Sequence, residues 1–323
     1  TDTSGTLTCA ESGADADDFT CAISGSTLTI TWTNTPNYDS ATDSDTNNVY
    51  AYTITVGDGT NDASSTTYAV TVTDVNDQTP TYSSSDTTPS VNEGTTAVET
   101  LSVTDTDTGD TNACTLGGAD ASSFTCTVSG DSVSLAFSSA PNYESPGSAD
   151  SDNDYSVTVT ISDGTNTGST ISYTVSVADT NDQTPAVTVA ATYSQAESSA
   201  TTFQTYTITD SDTAGTYSCT LGGTDAADFS TSISGKVCTV TWASAPDYDN
   251  AADSGGNNVY DITLAFSDGT NTLSAQTTAV TVTDVNDQTP AYSSSDTTPS
   301  VTEGTTAVET LTVTDTDTGD TNA

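Results

Sequence analysis

A heptapeptide that recurs at a fixed spacing constrains this chain more than any other feature. It reads Asp-Val-Asn-Asp-Gln-Thr-Pro at residues 74–80 and returns at 179–185 (with Thr in place of Val) and 284–290, with a step of 105 residues each time. Each copy follows a run in which apolar and polar residues alternate, which is the pattern of a half-buried β-strand. A fixed period of this kind indicates tandem structural repeats. The chain is therefore predicted to consist of repeated β-modules.

The module boundaries follow from these copies. Residues 291–323 repeat residues 81–113 with three changes at an offset of 210, so pairs of modules form a larger repeat. The predicted modules are 1–80 with its front part missing, 81–185, 186–290, and 291–323 as the start of a further one. Each whole module is long enough to bury one hydrophobic core.

Alternation within module 81–185 predicts an all-β fold. The expected strands lie near residues 88–92, 101–103, 114–116, 124–128, 133–137, 155–161 and 171–177. No segment of the sequence has the helical period, and seven short strands with turns between them favour two antiparallel sheets packed face to face. We therefore predict tandem seven-stranded β-sandwiches. Trp32 and Trp242 align with Phe137 on the inner face and are expected in the core.

Acidic residues continue the apolar stripes past the strand ends. Asp105 follows Val103 at period two, and Asp163 follows Ile161 in the same way. Side chains two apart lie on one face of a strand, so these carboxylates should point inward where the core stops. With alternating strand directions, Asp105, Asp107 and Asp163 should share the front end of the module, and Glu93, Glu144 and Asp179 its rear end.

The charge balance points to bound cations. The chain has 45 acidic residues against one basic residue, Lys236, and no histidine, which gives a net charge of −44. Such a charge argues against nucleic acid and anionic membranes as partners. Oxygen-only ligands crowded into one heptapeptide suit a hard cation, first of all Ca²⁺. The alternative is a polar turn ended by proline.

Six cysteines occur as one pair in each of three modules, as expected in an oxidising, extracellular compartment. The third module has Thr231 where the second cysteine is expected, and Cys238 replaces it from across a hairpin turn, where we expect it to face Thr231. Such a compensated change fits a disulfide better than metal ligation. The predicted disulfides are Cys9–Cys21, Cys114–Cys126 and Cys219–Cys238.

These residues resemble cadherin repeats over the whole chain. The heptapeptide resembles the family's Asp-x-Asn-Asp-Asn signature, with Gln78, Gln183 and Gln288 at the last position. Further motifs are similar to those of the family: Val91-Asn92-Glu93 in the first strand, Asp105-Thr106-Asp107 with the later Asn112, Asn142-Tyr143-Glu144, and Ile161-Ser162-Asp163. The resemblance implies Greek-key, Ig-like sandwiches joined end to end by linkers that bind several calcium ions.

The resemblance also implies three sets of calcium ligands. The first comprises Asp39, Asp74, Asn76, Asp77, Asp105, Asp107 and Asp163, with Asn112 added through its carbonyl. The second comprises Glu93, Glu144, Asp179, Asn181, Asp182, Asp210, Asp212 and Asp268. The third comprises Glu197, Asp247, Asp249, Asp284, Asn286, Asp287, Asp315 and Asp317. Asn37 and Asn142 are neutral where the family usually has Asp, Tyr217 replaces the Asn at 112, and Glu197 aligns only with a one-residue shift. We expect one ion per junction to be weak or missing, the outermost one first.

The functional expectation is structural and not enzymatic. Nucleophilic catalysis lacks a base, because there is no histidine and Lys236 stands alone, and the carboxylates recur in every module. We expect a calcium-rigidified extracellular repeat region that forms a rod or filament or extends a cell-surface adhesin. The alternative is a calcium-dependent adhesion module that binds a protein or glycan through the sandwiches themselves. Expected partners are further copies in fibres or a cell-surface assembly and O-linked glycan, with no membrane insertion in this segment.

Overall fold

β-Strands make up nearly all the regular structure of this chain. The computed structural model describes residues 5–198, 201–294 and 296–318. The chain divides into two units, residues 1–178 and 179–323. Helical structure in the described residues is limited to short 3-10 turns such as Ala121–Ser123, and no helix there is long and apolar enough to cross a membrane.

Unit 1 contains the strands of the first two modules. The first module has β1 (Thr8–Ser12), β2 (Phe19–Ser24), β3 (Thr27–Trp32), β4 (Val49–Gly57) and β5 (Thr66–Thr71). The second has β6 (Thr81–Tyr82), β7 (Ser90–Asn92), β8 (Ala97–Thr104), β9 (Ala113–Gly117), β10 (Phe124–Ser129), β11 (Ser132–Phe137), β12 (Asp154–Ser162) and β13 (Ile171–Ala178).

The second module is a sandwich of two four-stranded sheets. One sheet has the order β10-β11-β8-β6 and the other the order β7-β13-β12-β9. The strand predicted near residues 88–92 is β7, which pairs parallel with β13, and a short strand that was not predicted, β6, pairs antiparallel with β8 in the other sheet. Counting β6 and β7 as one interrupted first strand gives the seven strands of a Greek-key sandwich. The predicted all-β fold is thereby confirmed.

Inward-facing residues of both sheets fill the space between them. Val133, Val159 and Val175 are fully buried, and the alternating buried pattern of β12 and β11 matches the alternation in the sequence. Phe124 stacks on Phe137 with ring centroids 4.4 Å apart, and Tyr155 meets Phe137 edge-on. β-Branched and aromatic residues at every second position therefore form the sheets and the core together.

The first module has a similar arrangement in its described residues. Its sheets have the orders β1-β4-β5 and β2-β3. Trp32 is half-buried and stacks on Phe19 at 4.4 Å, with Tyr50 packed edge-on against it. Val70 is only partly buried, whereas Val175, the residue at the same position of the second module, is fully buried.

Unit 2 holds the third module and the strands that follow it. Its strands are β14 (Thr192–Ala196), β15 (Thr202–Thr207), β16 (Ser218–Gly222), β17 (Phe229–Ser234), β18 (Val237–Trp242), β19 (Val259–Ser267), β20 (Thr272–Thr283), β21 (Ala291–Ser293) and β22 (Thr312–Thr314). The sheets of the third module have the orders β14-β20-β19-β16 and β15-β18-β17, and β21 pairs with β22. Trp242 is buried in the core, as predicted, where its ring packs on Phe229 at 4.2 Å.

All six cysteines form the predicted disulfides, Cys9–Cys21, Cys114–Cys126 and Cys219–Cys238. Each bridge joins the two sheets of its own module. The expected pairing of Thr231 with Cys238 is wrong, however. Ser234 pairs with Val237 around a two-residue turn, so Val240 lies opposite Thr231 and Cys238 lies opposite Ile233. The replacement cysteine still faces the core, because both positions lie on the inner face.

A buried aspartate fastens the long loop of each module, and the sequence analysis missed it. Asp120 accepts the N–H of Ala149 at 2.6 Å and that of Ser156 at 2.7 Å, one on each carboxylate oxygen. The counterparts Asp15 and Asp225 make the same two bonds in their modules. This loop carries Asp39, Glu144 or Asp249 to the end of the sandwich, so the aspartate positions part of each predicted ligand set.

Candidate metal centres

Five aspartates of unit 1 form a first acidic cluster at the front end of the second module. They are Asp39, Asp74, Asp105, Asp107 and Asp163. Carboxylate oxygens of Asp39, Asp74 and Asp107 lie within 4.8 Å of one another, and so do those of Asp105, Asp107 and Asp163. Asp105 follows the end of β8 and Asp163 follows the end of β12, so the period-two continuation of these strands places both carboxylates here.

Four of the five carboxylates in the first cluster keep one oxygen without a hydrogen bond from the described residues, whereas Asp163 accepts hydrogen bonds on both of its oxygens. Asp74 accepts the N–H and the hydroxyl of Thr108 on Oδ2, and Asp107 accepts the N–H of Gln78 on Oδ2 at 2.8 Å. The remaining oxygens are buried and accept no hydrogen bond from any described residue. They are Oδ1 of Asp39, Oδ1 of Asp74, Oδ2 of Asp105 and Oδ1 of Asp107.

Crowding of like charges marks this cluster electrostatically. Burial, together with the carboxylates of Asp107, Asp74 and Asp77, raises the pKa of Asp39. Like charges at short range disfavour the ionised form unless a cation joins them. Asp74 differs, because the hydroxyl and N–H of Thr108 lower its pKa. Hydrogen bonds therefore hold Asp74 in its charged form, while the carboxylates around Asp39 repel one another.

The linker amides are held beside the same cluster. Asn76 donates from Nδ2 to the carbonyl of Asp163 at 3.4 Å, and its Oδ1 accepts from Nδ2 of Asn166 at 2.9 Å. Asp77 accepts Nε2 of Gln78 at 2.7 Å. Asn112 has a buried Oδ1 that accepts no hydrogen bond from the described residues. All eight residues of the first predicted set therefore lie in unit 1, and their role as ligands stays a prediction.

The second predicted set contains residues of both units. In unit 1, Glu93 is buried and accepts the N–H of Tyr143 on Oε2 at 2.8 Å, which places the neighbouring Glu144 at the same rear end of the module. The residues of unit 2 form a second acidic cluster. Asp179, Asp182, Asp210 and Asp212 interact electrostatically in it, and Asn181 donates from Nδ2 to the carbonyl oxygen of Asp268 beside them.

The second acidic cluster repeats the hydrogen bonds of the first. Asp179 accepts the N–H of Thr213 at 2.5 Å, and Asp212 accepts the N–H of Gln183 at 2.9 Å. Buried oxygens without a hydrogen-bond partner among the described residues recur as Oδ1 of Asp179, Oδ2 of Asp210 and Oδ1 of Asp212. Burial raises the pKa of Asp212, and nearby Asp210, Asp179 and Asp182 add to that rise.

A third acidic cluster in unit 2 contains Glu197, Asp247, Asp249, Asp284 and Asp317. Carboxylate oxygens of Glu197, Asp247 and Asp249 lie within 4.8 Å of one another. Glu197 is buried despite its one-residue shift and accepts the N–H groups of Tyr248 and Val285. The other predicted members, Asn286, Asp287 and Asp315, lie in the adjoining linker and after β22; Asp315 accepts the N–H of Asp317 at 3.4 Å.

The donor chemistry of all three clusters fits calcium. Buried carboxylate oxygens without hydrogen-bond partners are costly unless a cation compensates them. Calcium accepts six to eight oxygen ligands in irregular geometry, including carboxylates, amide oxygens and carbonyls. Histidine and thiolate ligands are excluded, since the chain has no histidine and all six cysteines are bridged. Calcium bound here would join oxygens from a linker and from strand ends of the following module.

Threonines that orient the first linker aspartate were missed by the sequence analysis. Thr108, Thr213 and Thr318 each donate twice to Oδ2 of Asp74, Asp179 and Asp284, respectively. A signal was present, because the three threonines recur at the same step of 105 residues as the heptapeptide. Fixing one oxygen of a ligating carboxylate directs the other toward the cluster centre.

The chain is similar to solved extracellular structures, although no family model and no curated protein matches it. One is the protocadherin gammaB4 extracellular domain, at 20% identity and a TM-score of 0.61, over 97% of this chain and 49% of that chain. Another is the cis-dimer structure of protocadherin gammaB7 domains EC3–6, with 20% identity and a TM-score of 0.55, over 98% of this chain and 78% of that chain. A third is the structure of mouse cadherin-23 domains EC22–24, with 17% identity and a TM-score of 0.51, over 86% of each chain.

The chain thus spans about half the length of the gammaB4 structure and most of the other two. The likeness extends over both units. At this level of identity the similarity establishes the fold. The chain is built of tandem β-sandwiches of the cadherin-repeat type.

Proposed function

We propose that this chain is a calcium-rigidified, extracellular structural repeat region without enzymatic activity. One observation carries the proposal: buried carboxylate oxygens without a hydrogen-bond partner in the described part of the chain recur where each linker meets the next module, as in Asp74 and Asp107, Asp179 and Asp212. Calcium bound there would tie the linker to the module that follows it. Repetition of the same cluster favours a rod, a filament or the extender of a cell-surface adhesin over one specialised site.

Compartment and chemistry agree with this proposal. Disulfides that cross from sheet to sheet, such as Cys114–Cys126, are typical of oxidising, extracellular conditions. Millimolar calcium is available there, which matches the modest affinity, Kd about 10⁻⁴–10⁻³ M, of extracellular calcium modules. Threonine-rich outer strand faces leave room for O-linked glycan.

Small-angle scattering with and without calcium tests the proposal. We expect the maximum dimension to fall and the flexibility to rise when calcium is chelated, because the linkers 74–80 and 179–185 lose their cross-links. The sandwiches themselves should remain folded, since the disulfides and cores do not depend on the ion. Equal scattering curves in both conditions would contradict the proposal.

A matched pair of variants separates ion binding from general charge effects. Asp107→Asn retains an acceptor for the N–H of Gln78 but removes the charge at the centre of the first cluster. We expect calcium binding at that cluster to weaken by about tenfold or more, since ligand charge tunes affinity. Asp17→Asn removes an exposed charge elsewhere and should leave calcium binding unchanged.

Self-association through the sandwiches is a second candidate function. The favouring finding is that the similar protocadherin gammaB7 structure is a cis-dimer. Sedimentation velocity in calcium tests this candidate: a concentration-dependent dimer supports it, and a monomer at every concentration contradicts it. The two candidates are compatible, because rods can associate laterally.

A further inference from the structure

The single cationic side chain of this chain lies at an acidic cluster. Lys236 occupies the two-residue turn between β17 and β18, and the chain has no other lysine, no arginine and no histidine. Its Nζ donates a hydrogen bond to the carbonyl oxygen of Asp210 at 2.9 Å and lies 5.2 Å from the ring centroid of Tyr217. Asp210 belongs to the second acidic cluster, so a fixed ammonium group is built into the edge of that cluster.

The same edge in the second module has the opposite charge. At positions 105 residues earlier, three residues differ together: Asp110, Asn112 and Asp131 stand where the third module has Gly215, Tyr217 and Lys236. The formal charge of these three positions changes from −2 to +1 between the modules. Asn112 is also the position that the first predicted ligand set adds through its carbonyl.

In the second module these positions form an open, oxygen-lined recess. Asp110, Asn112 and Asp131 line a cavity of about 200 Å³. Oδ2 of Asp110 and Oδ1 of Asn112 are buried and accept no hydrogen bond from the described residues. Along the chain, Asp110 and Asn112 closely follow Asp105 and Asp107 of the first acidic cluster.

In the third module the aromatic ring takes this space. A Cβ atom on Gly215 would lie 3.3 Å from Cζ of Tyr217 and 3.4 Å from Cβ of Asp268. An aspartate at 215 would therefore crowd the ring, so the loss of the carboxylate and the gain of the ring belong together. The ring in turn lies within reach of the ammonium of Lys236, which is an attractive cation–π arrangement.

We propose that Lys236 is a built-in cation that replaces one bound calcium ion at the second acidic cluster. The ammonium group of Lys236 donates a hydrogen bond to the carbonyl oxygen of Asp210, so a metal ion would have to compete for that oxygen. Its positive charge also repels a divalent cation nearby. Oδ1 of Asp179 and Oδ1 of Asp212 accept no hydrogen bond from the described residues, so the inner part of the cluster retains oxygens that can bind an ion. This inference rests on the proposed calcium binding and adds that the second cluster holds one ion fewer than the first.

Exchange of the three positions in both directions tests the inference on the full chain. The variant Gly215→Asp/Tyr217→Asn/Lys236→Asp introduces the residues of the second module into the third, and we expect one additional calcium ion per chain at saturation. The reciprocal variant Asp110→Gly/Asn112→Tyr/Asp131→Lys should lose one. Native mass spectrometry and equilibrium dialysis give the ion count, and non-reducing peptide mapping verifies that the three disulfides are intact.

A milder variant keeps the test decisive if a triple variant does not fold. Lys236→Met retains most of the length of the half-buried side chain and removes its charge. We expect it to tighten the weakest calcium-binding step several-fold or to add one ion. Ion counts and affinities equal to those of the unmodified chain in every folded variant would overturn the inference. That result leaves the proposed function intact, whereas an unmodified chain that binds no calcium overturns both.

Discussion

The buried aspartates are of two kinds, which differ in how many of their carboxylate oxygens accept hydrogen bonds. Asp120 gives both carboxylate oxygens to main-chain N–H groups, so its charge is fully engaged within the module. Asp107 gives only one oxygen and leaves the other buried without a hydrogen-bond partner among the described residues. Hydrogen bonds to a carboxylate stabilise the folded state, whereas an unused buried oxygen calls for a cation. The first kind maintains the fold, and the second kind is suited to ligation.

The structural aspartate gives the first prediction at this scale. Asp120→Ala should lower the free energy of unfolding of the second module by about 2–4 kcal/mol, because two buried N–H groups lose their acceptor. Chemical denaturation with and without chelator measures the loss, which should be the same in both conditions. Asp150→Asn, an exposed change in the same loop, should alter stability by less than about 0.5 kcal/mol. A loss that disappears in the absence of calcium would assign Asp120 to the ion site instead.

Acid should weaken the corresponding contact in the first module. Burial raises the pKa of Asp15, but the hydrogen bonds from the N–H groups of Ala51 and Ser44 together outweigh that effect. The pKa of Asp15 therefore lies below the ordinary value of 3.8. Since the folded-state pKa is the lower one, the contact stabilises fully above about pH 4 and loses its effect as the pH falls below 3.8. The stability difference between the unmodified chain and Asp15→Asn should therefore shrink on acidification below about pH 4, as measured by denaturation at successively lower pH. A difference that grows on acidification contradicts the assignment.

At the scale of elements, alternation determines which face a residue occupies but not which residue it pairs with. The sequence pattern correctly placed Cys238 on the inner face and predicted its disulfide to Cys219. The residue expected opposite Cys238 in the hairpin, Thr231, was wrong, because Ile233 lies there. Register in a hairpin is set by the turn, and Gly235 and Lys236 form a two-residue turn that moves the pairing. The bridge forms nonetheless, because it spans the two sheets and does not depend on the neighbour across the hairpin.

The moved disulfide predicts a rescue. Cys219→Ala/Cys238→Ala should lower the free energy of unfolding of the third module by about 2–4 kcal/mol, since the bridge closes a loop of moderate length. Thr231→Cys/Cys238→Val restores the arrangement of the second module, with cysteine at the position of Cys126 and valine at that of Val133. We expect Cys219 to bridge the cysteine introduced at position 231 in this variant, with most of the stability regained. Non-reducing peptide mapping and denaturation decide it, and free thiols in the double variant would contradict the prediction.

At the scale of the whole molecule, the alternation predicted the all-β fold, and the step of 105 residues gives module boundaries that stay a prediction. In-phase residues such as Asp105 and Asp163 were expected to meet at one end of the module, and their carboxylates do lie together. The aspartates fastening the loops and the orienting threonines were missed, because they lie outside the alternating strands. Their contacts depend on how distant loops pack, and alternation carries no information about that.

The net charge of −44 raises the question of whether calcium acts at built sites or only screens repulsion. Screening depends on ionic strength, so any salt weakens the repulsion between the carboxylates, whereas a site selects by ion size and ligand number. At about 10 mM calcium and a Kd of about 10⁻⁴–10⁻³ M, each site on the folded state should add about 1.4–2.7 kcal/mol to the free energy of unfolding. Sodium chloride at matched ionic strength should add far less, and magnesium should fall between them, because it demands octahedral geometry and gives up its waters reluctantly. Denaturation curves in the three salts measure the differences. Equal stabilisation by all three would mean that the acidic clusters are only a diffuse negative surface.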